Sequence, residues 1–141
     1  MYSRLQALLA DLTNRFHNGD FAGVIGHYDF PLPLEMEDRK VLITRPAEME
    51  RLLRALHHQR KSARFAATEP EIMAVELPRR RRFRLWVRYH HLDAAGVRLD
   101  HSDRIFHCRD RGVRVLIEGV QVTRLPLTEM RSLLPPHRIS A

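Results

Sequence analysis

His101 and Asp103 stand two positions apart in a stretch of the chain that alternates between two residue classes. In an extended strand that spacing puts both side chains on one face. A carboxylate beside an imidazole holds one ring tautomer and makes a general base near neutral pH, so this pair is the candidate catalytic group, with His91 or Tyr28 as a third member. The plainer alternatives are a surface pair bridged to Arg88 or Arg104, or a polar network inside a subunit interface. Tyr28, Trp86, Tyr89, His91 and Ile105 are the candidate ligand-binding residues. Rings with a polar tip suit the wall of a small-molecule pocket, although Trp86 and Tyr89 serve equally well as core or interface filling.

Nine histidines raise the question of a metal, and His90, His91, His101 and His107 fall in neighbouring strand-like segments. Successive strand residues point to opposite faces, so His90 and His91 cannot both ligate one ion from a regular strand. Cys108 is the single cysteine. It excludes an intramolecular disulfide and a thiolate-rich zinc site, and without a flanking His-Asn set or a helix start it reads as a buried strand thiol. Neither a metal nor a cofactor is expected.

These residues must be positioned by two kinds of element. Leu5, Leu8, Leu9, Leu12 and Phe16 recur at helical spacing and predict a first helix from Ser3 to His17, ended by Asn18-Gly19. Asp20 is the expected N-cap of a short second helix whose Phe21, Val24, Ile25 and Tyr28 share a face. Pro31 and Pro33 stop helix formation, and Leu34 to Met36 can pair with Lys40 to Ile43 around a turn at Glu37-Asp38. Thr44 is the expected cap of a third helix with Met49, Leu52, Leu53 and Leu56 on its buried stripe and a basic end at His57 to Lys61. After it the period falls to two. Four strands are expected, Glu71 to Leu77, Phe83 to Leu92, Val97 to Cys108 and Val113 to Arg124, joined by turns at Pro78 to Arg82, Asp93 to Gly96 and Asp110 to Gly112. In the third of these strands one face carries Leu99, His101, Asp103, Ile105 and His107, the other Asp100, Ser102, Arg104, Phe106 and Cys108; neither is purely apolar, and which lines a pocket stays open.

The 141 residues form one expected domain, 1–141, with a loosely ordered tail from about Pro126. A hydrophobic fraction of 44% and a charged fraction of 29% suit a globular chain rather than a disordered one. No apolar run approaches the ~20 residues that span a bilayer. The residues from Met1 to Gln6 lack the apolar core of a secretory signal, so no membrane partner is expected and the expected compartment is the cytoplasm. The formal charge of +7 is spread along the chain apart from Arg79 to Arg82, which reads as a solvated hairpin tip. A nucleic-acid face would gather basic residues from several elements, and that reading needs Arg79 to Arg82 to act with Arg84 and Arg88.

Gly19 to Tyr28, Ile43 to Leu53, Trp86 to Tyr89, the Asp93 to Gly96 turn and Ile105 to Ile117 together resemble the nuclear transport factor 2-like superfamily, which includes the SnoaL-like and ketosteroid isomerase-like proteins. The resemblance covers about residues 3 to 125. It implies an α+β cone: three N-terminal helices packed on a strongly curved, mostly antiparallel sheet of about six strands. It also implies a mouth that accepts a small hydrophobic molecule, and a homodimer formed through the outer sheet face. The superfamily hosts isomerases, dehydratases, cyclases and transport adaptors, so function follows from pocket residues rather than from the fold. Tyr28 falls where a second-helix tyrosine points into such a cone, while the carboxylate base and second acid of the steroid-isomerase type have no clear match. The leading expectation is a small hydrophobic-ligand pocket, in either a binding protein or a cofactor-independent lyase, isomerase or cyclase. An inward Asp or Glu would favour the enzyme and a wholly apolar cavity simple binding. The alternatives are a dimeric adaptor with a filled cone and a polyanion binder acting through Arg79 to Arg82.

Overall fold

The computed structural model of the chain describes residues 1–126. The first helix, α1 (Tyr2–His17), buries Leu5, Leu8, Leu9 and Leu12 along one stripe. The short α2 (Phe21–Ile25) starts at Asp20, whose carboxylate accepts from the Gly23 amide at 3.0 Å. The hairpin of β1 (Leu32–Met36) and β2 (Arg39–Ile43) turns at Glu37-Asp38, and α3 (Pro46–Ser62) follows with Met49 and Leu53 buried. Its N-cap is Arg45 rather than Thr44. Pro46 occupies the first helical turn, where its missing N–H is no loss, and Glu48 reaches back to accept from the Thr44 and Arg45 amides at 2.9 and 3.2 Å.

Four longer strands follow among the described residues: β3 (Ala67–Val75), β4 (Arg82–Leu92), β5 (Arg98–Asp110) and β6 (Val115–Arg124). The third strand begins four residues before the expected Glu71, because Pro70 is tolerated at the edge of a sheet and β3 is an edge strand. The six strands form one sheet in the order β2-β1-β6-β5-β4-β3, antiparallel except where β1 runs parallel to β6. The expected α+β architecture of three helices and about six mostly antiparallel strands is what the described residues adopt. Arg79 to Arg82 form the β3–β4 hairpin tip, closed by reciprocal backbone bonds between Arg79 and Arg82, with Arg80 and Arg81 at positive φ.

Register shifts interrupt the ladders between Ile72 and Ala74, His91 and Leu92, Asp103 and Arg104, and His107 and Cys108. Each places two residues against one and bends the strand, so the sheet curls toward the helices. Its concave face presents Phe83, Leu85, Val87, Tyr89 and His91 from β4 with Ser102, Arg104, Phe106 and Cys108 from β5. The leucine stripe of α1 and Val24, Met49 and Leu53 close over this face to make one core. Among the described residues, no helix is long and apolar enough to cross a membrane. The expected tail beyond Pro126 lies outside the described residues.

Candidate functional site

Tyr28 is aimed by a short parallel bridge to β6: the Asp29 amide donates to the Ile117 carbonyl and the Ile117 amide to the His27 carbonyl, both at 2.9 Å. That bridge carries the chain from α2 along the rim of the sheet and turns the Tyr28 ring inward. Tyr89 and Arg104 project from the concave faces of β4 and β5, and Arg60 reaches in from the last turn of α3. Between these groups lies a cavity of about 270 Å³, closed on the helical side by Leu12, Thr13, Phe16, Val24, Leu53 and Leu56. A smaller space of about 70 Å³ continues from Tyr28, Leu53, Leu56 and Arg104 toward the β1–β2 hairpin, walled by Leu32, Leu34, Met36, Ile43, Met49 and Leu52. A wider groove of about 650 Å³ beside the β1–β2 turn lies at the surface and carries none of these inward groups.

Besides Thr13, Asn14, His17, His57 and Lys61, the polar side chains at the cavity form two sets. Arg60 Nη1 donates to Thr68 Oγ1 at 2.9 Å and to His91 Nδ1 at 3.3 Å, while Thr68 Oγ1 lies 3.2 Å from the same ring nitrogen. Since Nδ1 accepts from a guanidinium, Nε2 carries the ring proton and donates to Ser102 Oγ at 3.0 Å. The His91 ring is fully buried and stacks on Phe65 at 4.8 Å. Burial, followed by the positive charges of Arg60 and Arg104, pushes its pKa down to about 3, so it is neutral and both ring nitrogens are engaged. Arg60 lies over the Phe16 ring at 5.4 Å. Burial, with repulsion from Arg104, lowers its pKa to about 10, which still leaves it charged at neutral pH.

Arg104 forms the second set. Its guanidinium lies 5.0 Å over the Tyr89 ring, and its buried Nε has no hydrogen-bond partner among the described residues. Burial raises the Tyr28 and Tyr89 hydroxyls above the ordinary phenol range, so both are protonated donors at any physiological pH. Neither Asp nor Glu lines the main cavity or its apolar extension among the described residues. The site can therefore donate hydrogen bonds and hold negative charge, but its lining contains no carboxylate to take a proton.

The sequence candidates divide across the sheet. Tyr28 and Tyr89 line the cavity, and His91 sits behind it as the support of Arg60 and Thr68. Trp86, Ile105, His101 and Asp103 belong to the opposite, outer face, where Trp86 pairs with Ile105 and Arg88 with Asp103. Arg88 holds Asp103 through two bonds of 2.8 and 3.1 Å and keeps its carboxyl below the usual range, whereas His101 Nε2 lies 3.9 Å away. The structure therefore does not bring His101 and Asp103 together with Tyr28 or His91. His90 also points outward, to Glu71 at 2.8 Å. Among the described residues, no three His, Cys, Asp or Glu side chains are grouped to hold a metal. Cys108 is buried, and burial pushes its thiol pKa up to about 12.

Arg60, Arg104 and Thr68 were not among the candidates. Arg104 had at most a weak signal, since it shares a strand face with Phe106 and Cys108 but also with Asp100 and Ser102. Arg60 had none: in a run of basic residues at a helix end it looks like any partner of the helix dipole.

No family model matches the chain, and no curated protein matches it. Solved structures do. An NTF-2 like protein of unknown function from Shewanella oneidensis is 12% identical, with a TM-score of 0.63 over 87% of this chain and 98% of that one. A ketosteroid isomerase-like protein from Erwinia carotovora atroseptica is 13% identical, with a TM-score of 0.61 over 87% and 95%. A domain of unknown function with a cystatin-like fold from Nostoc punctiforme is 16% identical, with a TM-score of 0.63 over 93% and 80%. At such identities the likeness is one of backbone architecture, and with three helices on a bent six-stranded sheet the chain has the nuclear transport factor 2-like fold.

Proposed function

We propose that this protein is a binding protein for a small molecule with a substantial apolar part, held inside the cone. The observation that carries the reading is the cavity between the helices and the concave face, about 270 Å³ with an apolar extension of about 70 Å³. That size sits at the lower edge of the ~300–1,000 Å³ of ordinary ligand pockets. Tyr28 and Tyr89 supply hydroxyl donors against walls of Leu, Val and Phe side chains, the mixture that orients a ligand while burying it. Proton-transfer catalysis needs a base within reach of the substrate. The lining holds no carboxylate, His57 Nε2 lies 3.2 Å from the His17 carbonyl and the buried His91 behind the lining has both nitrogens engaged, which favours binding over a carboxylate-based isomerase or cyclase. An adaptor would fill the cone, and the open space between Tyr28, Tyr89 and Arg104 favours the ligand reading over that one.

A neutral apolar dye, N-phenyl-1-naphthylamine, tests the proposal by its fluorescence. Saturable enhancement at one site per chain is expected, with at least a tenfold loss in Leu56→Trp, which puts an indole at the junction of the two spaces. Equal dye binding by a folded Leu56→Trp variant, or none by the parent, would refute it.

A further inference from the structure

The cavity holds two guanidinium groups and, among the described residues, no acid. Elsewhere on the molecule many arginines are matched: Arg88 with Asp103, Arg84 with Glu76, Arg82 with Glu118, Arg124 with Asp100 and Arg4 with Asp110. Inside the cone the pattern breaks. Arg60 meets the neutral oxygen of Thr68, the neutral ring of His91 and the face of Phe16, and Arg104 meets the face of Tyr89. Lys61 adds a third cation at the edge of the same space. Taking a charge out of water without an opposite charge is costly, so charges withdrawn from water are normally paired.

Resting on the pocket reading above, the geometry points to an amphipathic carboxylate as the ligand: its head between Arg60 and Arg104, its apolar body along Leu53, Leu56 and Met49 toward the β1–β2 hairpin. Three features fit that class. A guanidinium is planar and forked, matched to a carboxylate's two oxygens, and Arg104 lies over the Tyr89 ring with its Nε bound to no acid among the described residues. Arg60 is held by Thr68 and His91, so its remaining nitrogens are oriented before a ligand binds. The second space touches Arg104 at one end and is otherwise walled mainly by Leu, Met, Ile and Val, so head and tail subsites are contiguous.

The test compares octanoate, 1-octanol and octylamine, three ligands of one chain length and different head charge, as competitors of the neutral dye. Octanoate should bind at least tenfold more tightly than octanol, and octylamine more weakly than either, since a charge-assisted hydrogen bond accounts for that much. Arg104→Met and Arg60→Met should each remove the preference for octanoate, read as the ratio of octanoate to octanol affinity within the same variant. Arg104→Lys, which keeps the charge and loses the fork, should retain part of it. Because Arg104→Met deletes a half-buried charge that no acid among the described residues matches, the ligand-free variant should melt no lower than the parent, a result that a purely structural role for Arg104 would reverse. Equal binding of octanoate and octanol, with the dye bound, would overturn the carboxylate assignment and leave the pocket standing. Failure of dye and octanoate alike on folded protein would overturn both.

Discussion

Acidifying the protein from about pH 7 to about pH 5 should cost it about 2 kcal/mol of stability through one side chain, His91. In the unfolded chain this imidazole titrates at its ordinary value of 6.5, while in the folded protein burial, Arg60 and Arg104 push it down to about 3. Above the unfolded value both states carry a neutral ring and pH has no effect. Below it the unfolded chain takes up a proton that the native state refuses, so native stability falls by about 1.4 kcal/mol for each further pH unit until the folded value is approached. Between about pH 7 and about pH 5 the loss accumulates to about 2 kcal/mol, and the carboxylates lowered by their arginine partners, such as Asp103 and Asp110, change charge mainly below that window. The assay is urea unfolding at several pH values for the parent and for His91→Gln, whose amide replaces the donor to Ser102. The substitution leaves Thr68 and Arg60 without the ring nitrogen, so the variant should start lower by about 1–3 kcal/mol and then decline less steeply with acid. Carbon-13 shifts of the histidine rings give a reading independent of the variant: the His91 ring should keep its neutral signature at about pH 5. Parallel stability curves for parent and variant, or a His91 ring that protonates near its ordinary value of 6.5, would refute the buried neutral-imidazole argument.

Three further outcomes are expected. Phe106→Ala, at a core side chain 1% exposed, should destabilise by about 3–5 kcal/mol in urea titration with the unfolding slope unchanged. Asp103→Asn breaks a partly exposed pair with Arg88 on the outer face, so it should cost under about 1 kcal/mol and leave dye and octanoate binding unaltered; lost binding would place Asp103 in the site after all. Cys108 should react with Ellman's reagent only at the rate of unfolding, because the thiol is 1% exposed and burial pushes its pKa up to about 12; rapid labelling of native protein would contradict its placement.

Local chemistry carries most of the fold on its own. The leucine stripe of α1, the Asp20 cap, the Glu37-Asp38 turn and the alternation of β4 and β5 are short-range signals that survive without tertiary context, and each element forms where its pattern falls. Boundaries slip where the environment overrides the local signal: Pro70 reads as a breaker yet sits harmlessly on an edge strand, and Pro46 with Glu48 moves the α3 start past Thr44. What the chain by itself determined was which residues share a face. Which face turns inward came only from the tertiary structure, because a period-two pattern with polar residues on both sides is equally satisfied by either direction. The helices and bulges settled that direction, turning Ser102, Arg104 and Phe106 toward the core and His101, Asp103 and Ile105 away from it. Meetings across long separations, Arg60 with His91 and Arg104 with Tyr89 above all, leave no mark in local spacing, since they exist only once α3 closes over a bent sheet.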